Sequence, residues 1–151
     1  MDKEIHLLNI STDLLHKISL THQKFRSQVE CQKKINRDLN EEAQRLSFAK
    51  QHQSPFSSYR YRVKRIRSHA HFFLKENKTI RDLLSDDKKF ILEFQNLLLT
   101  CQVDSNNDES LLNILEKLKS DFVPIKQEHE SLCTTNFEIR EFLHELSKTK
   151  Y

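Results

Sequence analysis

One helical rhythm runs without interruption through the middle of the chain. Steps of alternately three and four residues lead through a line of side chains in which only Asn77 and Asp87 are strongly polar. Side chains that repeat every 3.5 residues lie along one side of an α-helix, and an apolar side this long must be buried against other helices. We call this side the seam. In the middle segment it comprises Phe56, Tyr59, Val63, Ile66, Ala70, Phe73, Asn77, Ile80, Leu84, Asp87, Ile91, Phe94, Leu98 and Cys101.

The segments on either side have seams of the same kind. The first seam comprises Leu8, Leu15, Ile18, Phe25, Val29, Leu39, Ala43 and Leu46, with polar members Ser11, His22, Gln32 and Asn36. The last seam comprises Leu111, Leu115, Leu118, Phe122, Ile125, His129, Leu132, Asn136, Ile139, Leu143 and Leu146. Three such segments predict an all-α fold, an elongated antiparallel coiled coil or three-helix up-down-up bundle with long helices.

Polar stretches at residues 51–54 and 103–108 separate the three segments. Ser54 suits a helix N-cap and Pro55 a first turn, while Asp108 or Ser110 suits the cap of the last helix. The sequence therefore predicts one domain over residues 1–151. Its helices are expected at about 3–50, 55–102 and 109–148.

Two positions leave the helix boundaries open. Pro124 lies inside the last seam, and because the register continues across it we expect a kink. The alternative is two helices, the second with Asp121 as its N-cap. In the middle segment, Ser85 or Asp86 would suit the start of a new helix.

Glycine is absent from all 151 residues. P-loops, dinucleotide-binding fingerprints, nucleophile elbows and standard calcium loops all require glycine, so these classes of site are excluded. No other catalytic or cofactor-binding pattern is present, and we expect a protein that is not an enzyme and has no cofactor. The three cysteines, Cys31, Cys101 and Cys133, are widely spaced, which is typical of free thiols in an intracellular, cytoplasmic or nuclear protein rather than a secreted one.

One pair of residues has helical metal-ligand spacing. His129 and Cys133 are four residues apart and lie on the same side of a helix. Zinc sites are usually tetrahedral, and one pair supplies only half of the ligands. We therefore predict no metal site and interpret His129 as a hydrogen-bonded core histidine.

A basic cluster begins the middle helix. It comprises Arg60, Arg62, Lys64, Arg65 and Arg67, with tyrosines interleaved. One interpretation is a surface for nucleic acid, for an acidic protein or for an acidic membrane surface, since cations neutralise phosphates and tyrosines stack on bases. Another is a solvated helix face. The interpretation that we favour is pairing with acidic side chains on the neighbouring helices, which would set their orientation. These acidic residues are Asp38, Glu41, Glu42, Glu138, Glu141 and Glu145.

The seam also predicts where partner helices bind. Beyond Asp87 the apolar side widens, and a wide stripe requires more than one neighbouring helix. The predicted partner-helix seam comprises Ile66, Phe73, Ile80, Leu84, Phe90, Ile91, Phe94, Leu97, Leu98, Leu132, Ile139 and Leu143. Asn77 and Asn136 are predicted to set the register, since a buried amide that is paired across an interface selects one alignment. The alternative is a partly hydrated seam.

The function that this pattern favours is that of a structural or adaptor subunit, which assembles with partner helices in a larger complex. Cytoskeletal, centrosomal, kinetochore, ciliary and tethering complexes all contain subunits of this style. The alternative is a helical module that binds nucleic acid or an acidic surface through the basic cluster. No run of apolar residues is long enough for a transmembrane segment.

The tail carries a short resemblance. Residues 128–133, followed by Glu138 and residues 141–143, resemble the C-terminal helix of the small coiled-coil subunit of the intraflagellar transport complex. The polar stretch and Pro124 upstream depart from that family's continuous helix. The resemblance thus implies a coiled-coil tail, and it identifies no family for the chain.

Overall fold

Four α-helices make up nearly all of the described chain. The computed structural model describes residues 2–51, 56–104 and 108–149, and no strand occurs among them. The helices are α1 (Asp2–Gln51), α2 (Phe56–Glu76), α3 (Lys78–Asp104) and α4 (Glu109–Ser147). The all-α prediction is confirmed. The predicted N-cap Ser54, the first-turn Pro55 and residues 105–107 of the second polar stretch lie outside the described residues.

The middle segment forms two helices that meet at Asn77. The Asn77 N–H donates to the Phe73 carbonyl at 2.9 Å, and the Arg81 N–H donates to the Asn77 carbonyl at 3.0 Å. Both are hydrogen bonds of α-helical spacing, so the ladder continues across the junction. The helix also continues through Ser85 and Asp86, and the new helix start considered there is not present.

The last helix begins at a side-chain cap. The backbone N–H groups of Ser110 and Leu111 donate to Asp108 Oδ1 at 3.1 and 3.3 Å, so Asp108 satisfies donors that have no helical acceptor. α4 then passes through Pro124 as one helix. The alternative of a second helix capped by Asp121 is therefore wrong.

The described chain divides into two compact units. Unit one comprises Met1–Arg26 and Asp82–Cys133, and unit two comprises Ser27–Arg81 and Thr134–Tyr151. In unit one, residues from α1, α3 and α4 form a single core, whose buried members are all predicted seam positions except Leu7 and Leu14. At its centre the rings of Phe94 and Phe122 stack with centroids 5.3 Å apart and planes 7° from parallel. The buried members are Leu7, Leu14, Ile18, Ile91, Phe94, Leu98, Cys101, Leu111, Leu115, Leu118 and Phe122.

Unit two has its own core, in which α1, α2 and α4 contribute. Leu46, Val63 and Ile66 are buried together, and Ala43, Tyr59 and Leu146 pack against them. Five of these six residues are apolar, and all of them are seam positions. Removing one side of each helix from water is therefore what holds this unit together.

The first seam departs from the prediction at its N-terminal end. Leu7 is buried, whereas the predicted member Leu8 is exposed. Leu7 is four residues and Leu8 three residues before Ser11. Both fit the three-four repeat, so spacing alone does not predict which of the two is buried. Leu7 lies eighteen residues before Phe25, which is about five full turns at 3.6 residues per turn, and thus on the same line of a straight helix. Leu8 is one residue, or about 100°, off that line.

Replacing Phe94 by alanine is expected to destabilise the protein by about 3 to 5 kcal/mol, because the fully buried ring leaves a cavity beside Phe122. Leu92 lies on the exposed side of the same helix, so Leu92→Ala is the matched control, with an expected change within about 0.5 kcal/mol. Urea denaturation followed by circular dichroism measures both free energies. Equal losses in the two variants would contradict this assignment of core and surface.

Candidate functional site

Three polar seam residues meet inside unit one. His22 of α1 and His129 of α4 both contact Asp87 of α3: His22 Nε2 and His129 Nδ1 each lie 2.6 Å from Asp87 Oδ2. His22 and Asp87 are buried, and His129 is half-buried. We call these three residues the His–Asp–His cluster. It brings one polar side chain from each helix of the unit to the same level of the core.

The hydrogen bonds define which atoms carry protons. An ionised carboxylate only accepts, so toward an ionised Asp87 both ring nitrogens that face Oδ2 act as N–H donors. His22 Nδ1 also lies 3.3 Å from Glu128 Oε2, so the protonated ring can donate to both carboxylates. Burial lowers the pKa of His22, but the hydrogen bond and charge of Asp87, with those of Glu128, outweigh it and raise the pKa above its ordinary value.

A partly exposed ion pair borders the cluster. Arg26 donates a hydrogen bond to Glu128 Oε1, which leaves Glu128 Oε2 to accept from His22. Leu15, Ile18, Ser19 and Ile125 complete a small cavity of about 120 Å³ beside these three side chains. The outer edge of the cluster is therefore polar and has room for a small ligand or water.

Cys133 lies on the other side of His129. Its Sγ is 3.5 Å from His129 Nε2, and because Nδ1 donates to Asp87, a neutral His129 accepts from the thiol at Nε2. The order thiol, imidazole, carboxylate is also that of cysteine-dependent hydrolases. A catalytic thiol needs a lowered pKa, however, and burial followed by the charges of Asp87 and Glu130 raises the pKa of Cys133, although Lys88 opposes them.

The position of Cys133 within α4 also disfavours catalysis. Residue 133 lies well inside a helix that runs to Ser147, so nearby backbone N–H groups are engaged in helical hydrogen bonds. An oxyanion hole needs donors that are directed at the substrate. The geometry therefore supports a hydrogen-bonded structural role for the thiol.

Unit two contains a second polar contact across its seam. Asn77 Nδ2 donates to Asn136 Oδ1 at 2.9 Å, and Arg140 donates to Asn77 Oδ1 at 3.3 Å. Asn77 is fully buried, and both ends of its amide are satisfied. The two asparagines that the sequence singled out thus contact each other, and their role in selecting register stays a prediction.

The residues predicted to bind partner helices are covered by the chain's own helices. Seven are buried and five are half-buried, and within unit one Phe90 and Leu97 pack against the unit's core. The buried residues are Ile66, Ile80, Ile91, Phe94, Leu98, Ile139 and Leu143, and the half-buried residues are Phe73, Leu84, Phe90, Leu97 and Leu132. The role of these residues in binding another chain is untested.

The basic cluster lies on α2 in unit two. Arg65 Nε is 3.7 Å from Glu42 Oε1, one of the acidic residues predicted to face it. Arg60, Lys64 and Arg65 are exposed, and Arg62 and Arg67 are half-buried. The ion pair favours charge pairing within the unit, although a solvent-exposed pair of this kind contributes no more than about 1 kcal/mol.

No known protein family, curated protein sequence or solved structure matches the chain. Among the described residues, no helix is long and apolar enough to cross a bilayer.

Sequence reasoning missed the His–Asp–His cluster as a unit. His22, Asp87 and His129 were each recognised as polar members of a seam, and His129 was considered as a ligand only with Cys133. The available signal was that each of the three seams carries an ionisable residue. With α1 and α4 both packed on α3, those three positions meet at one level.

Replacing Asp87 by asparagine is expected to cost about 3 to 5 kcal/mol, because the buried His22 ring loses the carboxylate with which it pairs. Asp86 is the exposed neighbour on the same helix, so Asp86→Asn tests charge removal without loss of the cluster. Its expected effect is within about 0.5 kcal/mol. The midpoints of urea denaturation, compared at equal dependence of the free energy on urea, measure the stability of both variants. An Asp87→Asn protein as stable as the Asp86→Asn protein would refute the pairing of Asp87 with His22.

The asparagine pair is tested by a double-mutant cycle. Asn136→Leu leaves Asn77 Nδ2 without its acceptor, and Asn77→Leu leaves Asn136 Oδ1 without its donor, each at an expected cost of about 1 to 3 kcal/mol. The double variant is expected to cost less than the sum, with a coupling of at least about 0.5 kcal/mol, because it leaves no orphaned amide. Strictly additive losses in urea denaturation would exclude a direct interaction.

Proposed function

We propose that this chain is a non-enzymatic structural or adaptor subunit that assembles with partner helices in a larger complex. The observation that carries the proposal is an apolar line on the exposed side of α3. Leu92, Leu99 and Val103 are separated by seven and four residues, so they share one side of the helix. Leu99 is 60% exposed and Val103 is 72% exposed.

Apolar side chains that are aligned and exposed indicate a docking surface. Single exposed apolar side chains are ordinary on protein surfaces, but three at helical spacing match the anchors through which one amphipathic helix packs on another. Because the seam of α3 is already covered within unit one, this line would engage another chain. We call Leu92, Leu99 and Val103 the outer line.

A cleft in unit one supports the same role. Leu7 and Ile10 of α1, Leu97 and Cys101 of α3 and Leu111 of α4 line it, and its volume is about 160 Å³. This volume would accommodate an apolar side chain of a partner. The cleft lies toward the C-terminal end of α3, as do Leu99 and Val103.

The proposal includes an up-down-up arrangement of helices. In unit one, His22 and His129 both contact Asp87, whereas the cleft joins Leu7 to Cys101 and Leu111. From the cleft to the His–Asp–His cluster, residue numbers therefore rise along α1 and α4 and fall along α3. This pattern supports an antiparallel α3 between two parallel neighbours with coiled-coil-like seams. Pro124 is proposed to kink α4, since its ring cannot fit a straight helix without strain.

The proposal is tested by acidic substitutions on the outer line. In Leu99→Asp/Val103→Asp, both changes are at exposed positions, so helicity and melting temperature are expected to stay unchanged while assembly with partner chains is lost. Affinity purification from the native cell with quantitative mass spectrometry compares the variant with the wild-type chain. Sedimentation of the purified chain detects self-association in the same variants.

Leu112→Asp is the matched control, because Leu112 is an exposed leucine on α4 outside the outer line. It is expected to retain the wild-type partners. Partner sets that are identical for the wild-type chain, the double variant and the control would rule out the outer line as the docking surface.

A further inference from the structure

The His–Asp–His cluster has the composition of a metal site. One potential ligand atom from each of His22, Asp87 and His129 lies within 4.8 Å of the others. Imidazole nitrogens with a carboxylate oxygen suit zinc and the neighbouring first-row metals, and two histidines with one carboxylate form several known three-ligand sites. The three residues come from three helices of one unit, so the core holds their relative positions.

Each imidazole ring has a polar partner at its second nitrogen, as metal-binding histidines usually do. Such a histidine binds the ion through one nitrogen and donates the other N–H to a carboxylate or another acceptor, which fixes its orientation. His22 faces Asp87 with Nε2, while Nδ1 faces Glu128 at 3.3 Å. His129 faces Asp87 with Nδ1, while Nε2 lies 3.5 Å from the Cys133 sulfur. Glu128 is held in turn by Arg26.

Asp87 retains an unused ligand atom. Among the described residues, Asp87 Oδ1 is the one buried side-chain nitrogen or oxygen with no hydrogen-bond partner. A carboxylate oxygen buried in this way costs free energy unless something satisfies it. Asp87 is fully buried, so bulk solvent does not serve that atom. A cation bound at the carboxylate would satisfy it.

The cluster can accept an ion with small movements. The two nitrogen-to-oxygen distances are 2.6 Å, which is hydrogen-bond length. Ligand atoms around tetrahedral zinc lie about 3.4 Å apart for bonds of about 2.1 Å, so the rings must withdraw by less than about 1 Å. The cavity lined by His22, Arg26 and Glu128 gives the His22 ring space for that movement.

We propose that His22 Nε2, Asp87 and His129 Nδ1 bind one divalent first-row transition-metal ion, with Zn²⁺ as the best fit, in place of the protons that they share. Binding would release protons, because both nitrogens must be deprotonated to act as ligands. The ion would join α1, α3 and α4 at the level of Asp87 and stabilise unit one. This inference does not depend on the partner-binding proposal.

The test is a zinc titration of the full chain after removal of metal by a chelator, in competition with a fluorescent zinc indicator. We expect one site per chain. His129→Gln and Asp87→Asn are each expected to weaken zinc affinity at least about tenfold. His16→Gln, an exposed histidine on α1, and Asp86→Asn are the matched controls and are expected to bind like the wild type. Wild-type affinity in the two cluster variants would overturn the proposal.

A measurement on the unaltered chain covers the case in which a cluster variant does not fold. Histidine-ring ¹⁵N NMR during the zinc titration reports which nitrogen becomes the ligand. We expect the shifts of bound nitrogens first at His22 Nε2 and His129 Nδ1, with the opposite nitrogen of each ring protonated. Zinc bound first at other histidines, or rings of His22 and His129 that do not change at saturating zinc, would refute the site.

Discussion

Apolar side chains on a helix leave water only along the side that faces another helix, and this constraint organises both units of the chain. Each fully buried leucine, isoleucine or phenylalanine contributes about 1.5 to 3 kcal/mol. In unit one the seams of α1, α3 and α4 meet around Phe94 and Leu115, and in unit two those of α1, α2 and α4 meet around Leu46 and Ile66. Three local features are compatible with that constraint: the N-cap of α4, the helical junction at Asn77 and the continuation of α4 through Pro124.

The polar members of the seams make contacts that depend on how the helices align. A buried polar group is costly without a partner, and it is satisfied only when the partner helix presents the right residue at the same level. Asp87 contacts His22 and His129 in unit one, and Asn77 donates a hydrogen bond to Asn136 in unit two. Sliding any of these helices by one turn would leave the groups unpaired. The apolar positions thus supply most of the stability, and selection of the register by the polar ones stays a prediction.

Spacing predicted the all-α fold and most of the buried positions, because a three-four repeat leaves only one side of a helix to bury. Spacing was insufficient where two residues satisfy it equally, as Leu7 and Leu8 do. It was also insufficient for the cluster, since His22, Asp87 and His129 lie far apart along the chain and their meeting depends on how far each helix extends before the chain turns. That length depends on residues in the polar stretches, whose conformation periodicity does not determine.

The three native cysteines test most directly whether the chain's own helices cover the seam. Cys31 is exposed, Cys133 is half-buried and Cys101 is buried in the core of unit one. Alkylation of the native chain, followed over time by mass spectrometry, is expected to modify Cys31 first, Cys133 more slowly and Cys101 only after denaturant is added. Modification of Cys101 as fast as that of Cys31 under native conditions would contradict the account.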